Sequence, residues 1–220
     1  MRQAVMVAPG EIVYREVPIP EITEQQVLIK VARIGICGSD MHVYHGKHPY
    51  TSYPVVQGHE VSGFVERVGA AVTSVAVGDL VTFLPQITCG ECGPCLRGQP
   101  HICDHLRVMG FQAEGAAAEY VAIDQQKVLR LPSSVKPDIG ALVEPLAVAV
   151  HAARRAGNLA GNRALVLGAG PIGILVAQVA QSLGARVVIS DPSSHRRQIA
   201  EQCGILKLLT PMPAISRNGY

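Results

Sequence analysis

Tryptophan is absent from this chain of 220 residues, and aromatic residues make up only 4% of it. The core must therefore be assembled from small aliphatic side chains. Alanine, valine and glycine carry much of the apolar share, which suits α/β packing with close helix–strand contacts. An excess of either charge is missing too. The formal net charge is +2, so nothing points to an electrostatic nucleic-acid surface. The opening run Met1–Gly10 lacks the long apolar core and cleavage pattern of a signal peptide. The six cysteines are therefore expected in a reducing, cytoplasmic setting, as metal ligands before disulfides. A disulfide framework is the alternative. The most apolar stretch, Ala164 to Gly184, is broken by Gly168, Gly170, Pro171 and Gly173 and carries Gln178 and Gln181. It reads as a buried strand followed by a helix, not as a membrane span.

The length suits one large domain or two small ones, and the pattern changes near residue 150. Before it come short β-type runs broken by glycine and proline, such as Val27–Ala32, Ser62–Val68 and a turn at Val77–Asp79 leading into another strand. Such spacing predicts a small, partly open barrel. From Glu144 to Ala156 the pattern is helical. A turn over 158–162 precedes Arg163–Leu167, which reads as a buried parallel strand. A helix is predicted from Pro171 to Leu183, with Gly184 as its C-terminal glycine, then a strand over Arg186–Ser190 and a helix from Ser193 to about Gln202.

Cys89, Cys92, Cys95 and Cys103 have the spacing to close a tetrahedron of thiolates around one zinc ion, with no position left for a substrate. A second candidate set lies earlier. Cys37 stands in Gly35-Ile-Cys37-Gly-Ser39-Asp40-Met-His42, and His59 and Glu60 in Gly58-His59-Glu60-Val-Ser-Gly63. A thiolate, an imidazole and a carboxylate can hold zinc with one position open for an alcohol oxygen. Taken singly, Cys37 also reads as a small apolar residue and His59 as a hydrogen-bonded core histidine.

Between the predicted strand and helix lies Gly168-Ala-Gly170-Pro171-Ile172-Gly173. These glycines permit a tight turn, close approach of backbone to a pyrophosphate, and close packing of helix on sheet. Asp191 ends the next strand at the distance expected of a ribose-binding acid. An acid there favours NAD over NADP, because it repels a 2′-phosphate. Arg196, a further candidate coenzyme contact, and Arg197 act against that preference. A structural glycine turn without a ligand is the competing reading.

Together these residues resemble the zinc-dependent medium-chain alcohol dehydrogenases, in particular the sorbitol, L-iditol and threonine dehydrogenase branch. The run from Gly58 to Gly69, the four-cysteine lobe, Gly115-Ala-Ala-Ala-Glu119-Tyr120, Glu144-Pro-Leu-Ala147 and the glycine loop follow in that family's order. The resemblance implies a GroES-like, partly open β-barrel catalytic domain over residues 1–150. An incomplete Rossmann domain would follow over 151–220. It implies one catalytic and one structural zinc ion. Cys37 and His59 would be ligands of the first, Glu60 a ligand in some states, and Glu144 a ligand or the holder of a zinc-bound water. Glu144, where ethanol-type enzymes often have cysteine, favours polyols or amino alcohols. Ser39 would take the alcohol proton, His42 would pass it toward solvent, and Asp40 would support the zinc site from behind. Capping of a helix is the alternative for Ser39 and Asp40.

The implied reaction is hydride transfer from a secondary alcohol to NAD, giving a ketone and NADH. Small-molecule alcohols are then the expected partners, without nucleic acid or membrane, and a homo-oligomer is expected for the full-length family. Only two strands of the nucleotide domain are clear, with Lys207–Thr210 starting a third, and the tail over 211–220 reads as coil. The nicotinamide-holding half and the returning C-terminal segment are therefore expected to be missing, as in a truncated product, a frameshifted reading or a fragment. Two other functions compete with the dehydrogenase: a catalytically inactive zinc-binding remnant, and a zinc-ribbon nucleic-acid module. The low charge and few aromatics count against the last.

Overall fold

The computed structural model describes residues 1–211. The chain divides into two compact units, Met1–Glu144 and Pro145–Tyr220.

In the first unit, β1 (Arg2–Ala8) and β2 (Glu11–Glu16) form a hairpin turned by Gly10. There follow β3 (Gln26–Ile34), helix α1 (Gly38–Tyr44), β4 (Val61–Val68), β5 (Leu80–Phe83) and β6 (Gln86–Ile87). The short helix α2 (Gly93–Leu96) leads to β7 (Arg107–Val108), β8 (Tyr120–Asp124), β9 (Val128–Arg130) and α3 (Pro137–Gly140). Five of these strands make one antiparallel sheet in the order β8-β3-β4-β5-β9. Its two outer strands, β8 and β9, are joined by a single 3-10 turn at Gln125–Lys127. A flat sheet cannot place its edges that close, so it must curl on itself. Two register shifts in the β3–β4 pairing, at Leu28/Ile29 and Val31/Arg33, supply the added twist. The result is the partly open barrel expected from the spacing. Its interior is aliphatic: Val27, Ile29, Val61, Val65, Val81, Val121 and Ile123 are buried around Phe83.

Helix α4 (Val143–Arg155) begins at the end of the first unit, so the expected boundary near 150 falls inside it. In the second unit β10 (Arg163–Leu167), α5 (Pro171–Ser182), β11 (Arg186–Ser190), α6 (Ser194–Gln202) and β12 (Leu208–Leu209) alternate. The three strands are parallel, in the order β10-β11-β12, so Leu208–Leu209 is the third strand. Ile174, Ala177, Ala180, Val187, Ile189 and Ala200 form the core between strands and helices. Ser193 caps α6, its side chain accepting from the Arg196 N–H.

One expectation fails here. Strand β10 is not buried on both faces: Leu165 and Leu167 are 60% and 79% exposed. Ala164 and Val166 pack into the core with α5, whereas the two leucines point to the other face, which no helix among the described residues covers. No helix among the described residues is long and apolar enough to cross a membrane. The expected coil beyond Pro211 lies outside the described residues.

Candidate metal centre and nucleotide loop

The end of β3 pairs with the start of β4, Ile34 opposite Val61, and the Gly35 N–H donates to the Glu60 carbonyl at 2.7 Å. This one register sets Cys37, just beyond β3, beside His59 and Glu60, just before β4. One donor atom from each lies within 4.8 Å of the others. Gly35 is needed beneath them, since a Cβ there would meet the Glu60 side chain, with its Cβ at 2.9 Å. The Gly58 turn has φ +99°, and Gly115 packs flat against it, where a Cβ would stand 2.5 Å from the Gln57 carbonyl carbon. Glycine is required at Gly58 for its left-handed conformation and at Gly115 for close approach.

Cys37 caps α1, and its N–H donates to Asp40 Oδ2 at 2.8 Å. Asp40, not Ser39, therefore satisfies the helix end. Its other oxygen accepts from Gln57 Nε2 at 3.2 Å and lies 3.8 Å from His59 Nδ1. That separation exceeds a hydrogen bond, and His59 Nδ1 is buried with no partner.

The electrostatics suit a cation. Burial raises the carboxyls of Asp40, Glu60 and Glu144 above the usual range, against the pull of His59. Burial alone would lower His59, yet the Cys37 thiol and the charges of Asp40, Cys37 and Glu144 outweigh it and raise its pKa. Three carboxyls crowding one imidazole are relieved by a bound divalent cation. A thiol, an imidazole and a carboxyl are zinc donors, so the set fits zinc. Glu144, in the first turn of α4, is close enough for its charge to act on His59 but stands outside the three-residue group. Ser39 is partly exposed and His42 exposed on α1.

The second group is Cys89, Cys92, Cys95 and Cys103, again within 4.8 Å of one another. Cys103 Sγ lies 3.5 Å from Cys89 Sγ and 3.8 Å from Cys92 Sγ. Four thiolates on one zinc ion stand about 3.8 Å apart. The N–H groups of Cys89 and His105 donate to Cys103 Sγ at 3.4 and 3.3 Å, as suits a thiolate. All six cysteines are free thiols, so the disulfide alternative fails. Desolvation, then the neighbouring Cys92, Cys103 and Cys89 thiols, push Cys95 from 9.0 up to about 12. Without metal this thiol is protonated at neutral pH, and zinc must displace the proton. Zinc titration of chelator-treated protein in weak buffer is expected to release roughly four protons per ion at this cluster near pH 7. Release of fewer than about one would exclude thiol ligation. The raised pKa favours the folded metal-free lobe below pH 9.0, and that contribution is lost as pH rises toward about 12.

In the second unit, Gly168 ends β10 at φ +100°, with open space where a side chain would stand. Gly170 is also open and caps α5, whose first residue is Pro171, followed by the exposed Ile172. A phosphate can thus approach the backbone and the helix N-terminus. Gly173 packs against Gly168, where a Cβ would collide with the carbonyl, its carbon at 3.0 Å. Gly173→Ala is expected to destabilise the unit by about 1–3 kcal/mol and to abolish ADP binding. Denaturation and calorimetry check this; wild-type values for both would show that the loop can relax.

Asp191 is 2% exposed. Its oxygens accept from the Ala169 and Ser193 N–H groups, each at 2.8 Å, and these bonds hold its carboxyl below the usual range. Arg196 Nη1 lies 3.8 Å from it, while Arg197 turns back to the Asp191 and Pro192 carbonyls.

Gly35, Gln57 and Phe111 were not singled out by the sequence. Gly35 stands two residues before Cys37, a detectable signal. Gln57 and Phe111 act through contacts that no local pattern encodes.

Residues 23–133 match the alcohol dehydrogenase GroES-like domain. The chain is 44% identical over 188 residues to the 2-dehydro-3-deoxy-L-galactonate 5-dehydrogenase of Pseudoalteromonas atlantica, covering 85% of this chain and 55% of that protein. It is 42% identical to the L-threonine 3-dehydrogenase of Bacillus subtilis, covering 87% and 56%. The structure of a short chain alcohol dehydrogenase of Escherichia coli CFT073, complexed with NADH, superposes with a TM-score of 0.87 at 31% identity, covering 97% and 63%. The chain thus spans little more than half the length of these curated relatives. A GroES-like barrel carrying two metal-competent groups, with a Rossmann-type parallel unit after it, places this chain in the alcohol dehydrogenase GroES-like family.

Proposed function

We propose that this chain carries the zinc-binding half and the adenosine-binding part of a dehydrogenase that oxidises a secondary alcohol, of polyol or sugar-alcohol type, with NAD. The convergence of Cys37, His59 and Glu60 beside a raised Glu144 carboxyl carries this reading. The similar proteins are named for dehydrogenation at position 5 of a deoxygalactonate and position 3 of threonine. Cys37, His59 and Glu60 would hold the catalytic ion, with Glu144 as an alternate ligand or a holder of water. When bound, the ion supplies Lewis acidity toward a hydroxyl oxygen, and NAD accepts the hydride.

The chain's own groups move the proton. Ser39, on the first turn of α1, would accept it from the alcohol, and His42, one turn on and exposed, would release it to solvent. Asp40 holds the helix end and would back His59 by its charge, across 3.8 Å. Cys89, Cys92, Cys95 and Cys103 would close a structural site. Gly168, Gly170, Pro171, Ile172 and Gly173 would receive the pyrophosphate and Asp191 the adenosine ribose, with Arg196 beside it. The balance is alcohol plus NAD⁺ giving ketone, NADH and one proton.

Zinc per chain, by elemental analysis, is expected to be about two, one for each site. NADH formation on a panel of polyols, aldonates and threonine then tests the reaction. One ion or none excludes the open site, and two ions without turnover leave a zinc protein that is no dehydrogenase by itself.

A further inference from the structure

Three histidines, His42, His45 and His48, lie on α1 and the loop beyond it. The proton path proposed above uses His42. His48 has no task in it, yet its ring is firmly held. Its Nδ1 lies 2.7 Å from Thr51 Oγ1, its face stacks on Phe111 at 4.6 Å and 12°, and Tyr50 stands edge-on to it at 6.2 Å and 77°. Phe111 is 9% exposed and packs with Met6, Val43 and Val55, so the stack rests on the core. Fixing a loop side chain in this way costs conformational entropy.

Its place is beside the metal-competent group. The phenyl ring that stacks on His48 also lies 4.9 Å from the His59 ring, so one side chain touches both imidazoles. The charges of His42 and Asp40 act on His48 as well. Tyr50 and Phe111 line a cavity of about 470 Å³.

The chemistry left free on His48 is narrow. Thr51 occupies Nδ1, and among the described residues no hydrogen bond reaches Nε2. His48 is half-buried, and Nε2 keeps access to solvent. Burial and the charge of His42 outweigh Asp40 and lower the His48 pKa, so the imidazole is neutral at neutral pH. A neutral ring nitrogen offers one hydrogen bond, donated or accepted according to the tautomer that Thr51 selects. A hydroxyl does either and satisfies Nε2 in both tautomers, whereas a carboxylate only accepts.

We propose that His48 recognises, through Nε2, a second hydroxyl of the substrate, carried away from the reacting carbon. This inference rests on the proposed oxidation of a polyol at the Cys37 group and names what would separate a polyol from a simple secondary alcohol there. A site that hydrogen-bonds a hydroxyl rejects the analogue lacking it, because its own polar atom is then left unpaired.

Binding to the cobalt-loaded full chain tests this without need of turnover, since cobalt at the Cys37 group reports a ligand through its ligand-field bands. The probes are sorbitol, a series of monodeoxy sorbitols, and isopropanol. For the wild-type chain, loss of one particular hydroxyl is expected to weaken binding by about 10–100-fold. His48→Leu should weaken sorbitol by the same factor and bind that deoxy analogue as the wild-type chain does, so that the two losses do not add. His48→Gln keeps a hydrogen-bonding group and is expected to recover part of the preference. Isopropanol should bind all three chains alike. Wild-type discrimination in His48→Leu would overturn the proposal. So would a loss of equal size for every ligand, isopropanol included, which marks damage to the packing on Phe111. A cobalt-loaded wild-type chain that binds sorbitol no better than isopropanol, or binds neither, also overturns it. A wild-type chain that takes cobalt only at the four cysteines would instead overturn the metal reading itself.

Discussion

Cys103→Ser is expected to cost the chain one of the two zinc ions proposed for it and to unfold the lobe between β6 and β7. Cys103 is the buried member of the four, 7% exposed, and the only one that accepts both the Cys89 and the His105 N–H. The lobe has little else to hold it. Its two helical turns, α2 and Pro100–Ile102, contain no buried residue, and Leu96 and Ile102 are largely exposed. A structural zinc ion supplies on the order of 10 kcal/mol to such a segment. Loss of one thiolate should forfeit at least about 3 kcal/mol of that, enough to make residues 88–106 open to proteases. The barrel core around Val27, Ile29 and Val81 draws nothing from the thiols and is expected to survive. Elemental analysis with limited proteolysis decides the matter. Two ions and wild-type protease resistance in Cys103→Ser would show that packing, not metal, holds the lobe.

The largest effect on reactivity is expected from His59→Ala. Of the three donors, His59 is the best placed by its surroundings: buried, flanked by Phe111, and facing the Cys37 thiol. Its removal leaves a thiol and a carboxyl, too few protein ligands for a catalytic zinc ion. Zinc content is expected to fall from about two to about one ion per chain, with the four-cysteine ion retained. Any alcohol-dependent NADH formation should fall roughly 10³-fold, equivalent to about 4 kcal/mol of lost transition-state stabilisation. Retention of both ions would show that His59 is not a ligand. Loss of the ion without loss of rate would separate the reaction from the metal.

Much of this was readable along the chain because the determinants are local. The four cysteines lie within one short segment, so their spacing already limits how they can converge. The glycine loop, Asp191 and the alternation of β10, α5, β11 and α6 are likewise contiguous, and the periodicity of each element is carried by its own residues. The partly open barrel was legible from strand spacing, although not the strand order that closes it, since β8 and β9 are neighbours in sequence but occupy opposite edges.

Tertiary structure decided what depends on partners distant in sequence. The residues around Cys37 and His59 suggested ligands singly; only the Ile34–Val61 register makes them one group. Asp40 could be read as a cap or as a support for His59. The structure gives it the first task through Cys37 and, in the second, sets its other oxygen 3.8 Å from His59 Nδ1. The exposure of Leu165 and Leu167 on β10 could not be read from an apolar run, because burial depends on which faces helices cover. Phe111 carried no signal at all. It lies against His59 because a glycine-enforced loop packs on the Gly58 turn, a contact between residues far apart in the chain. Sequence by itself determined the donor chemistry and the local frames that present it. Packing and strand register determined which donors meet, because convergence is a property of the folded surface and not of any one segment.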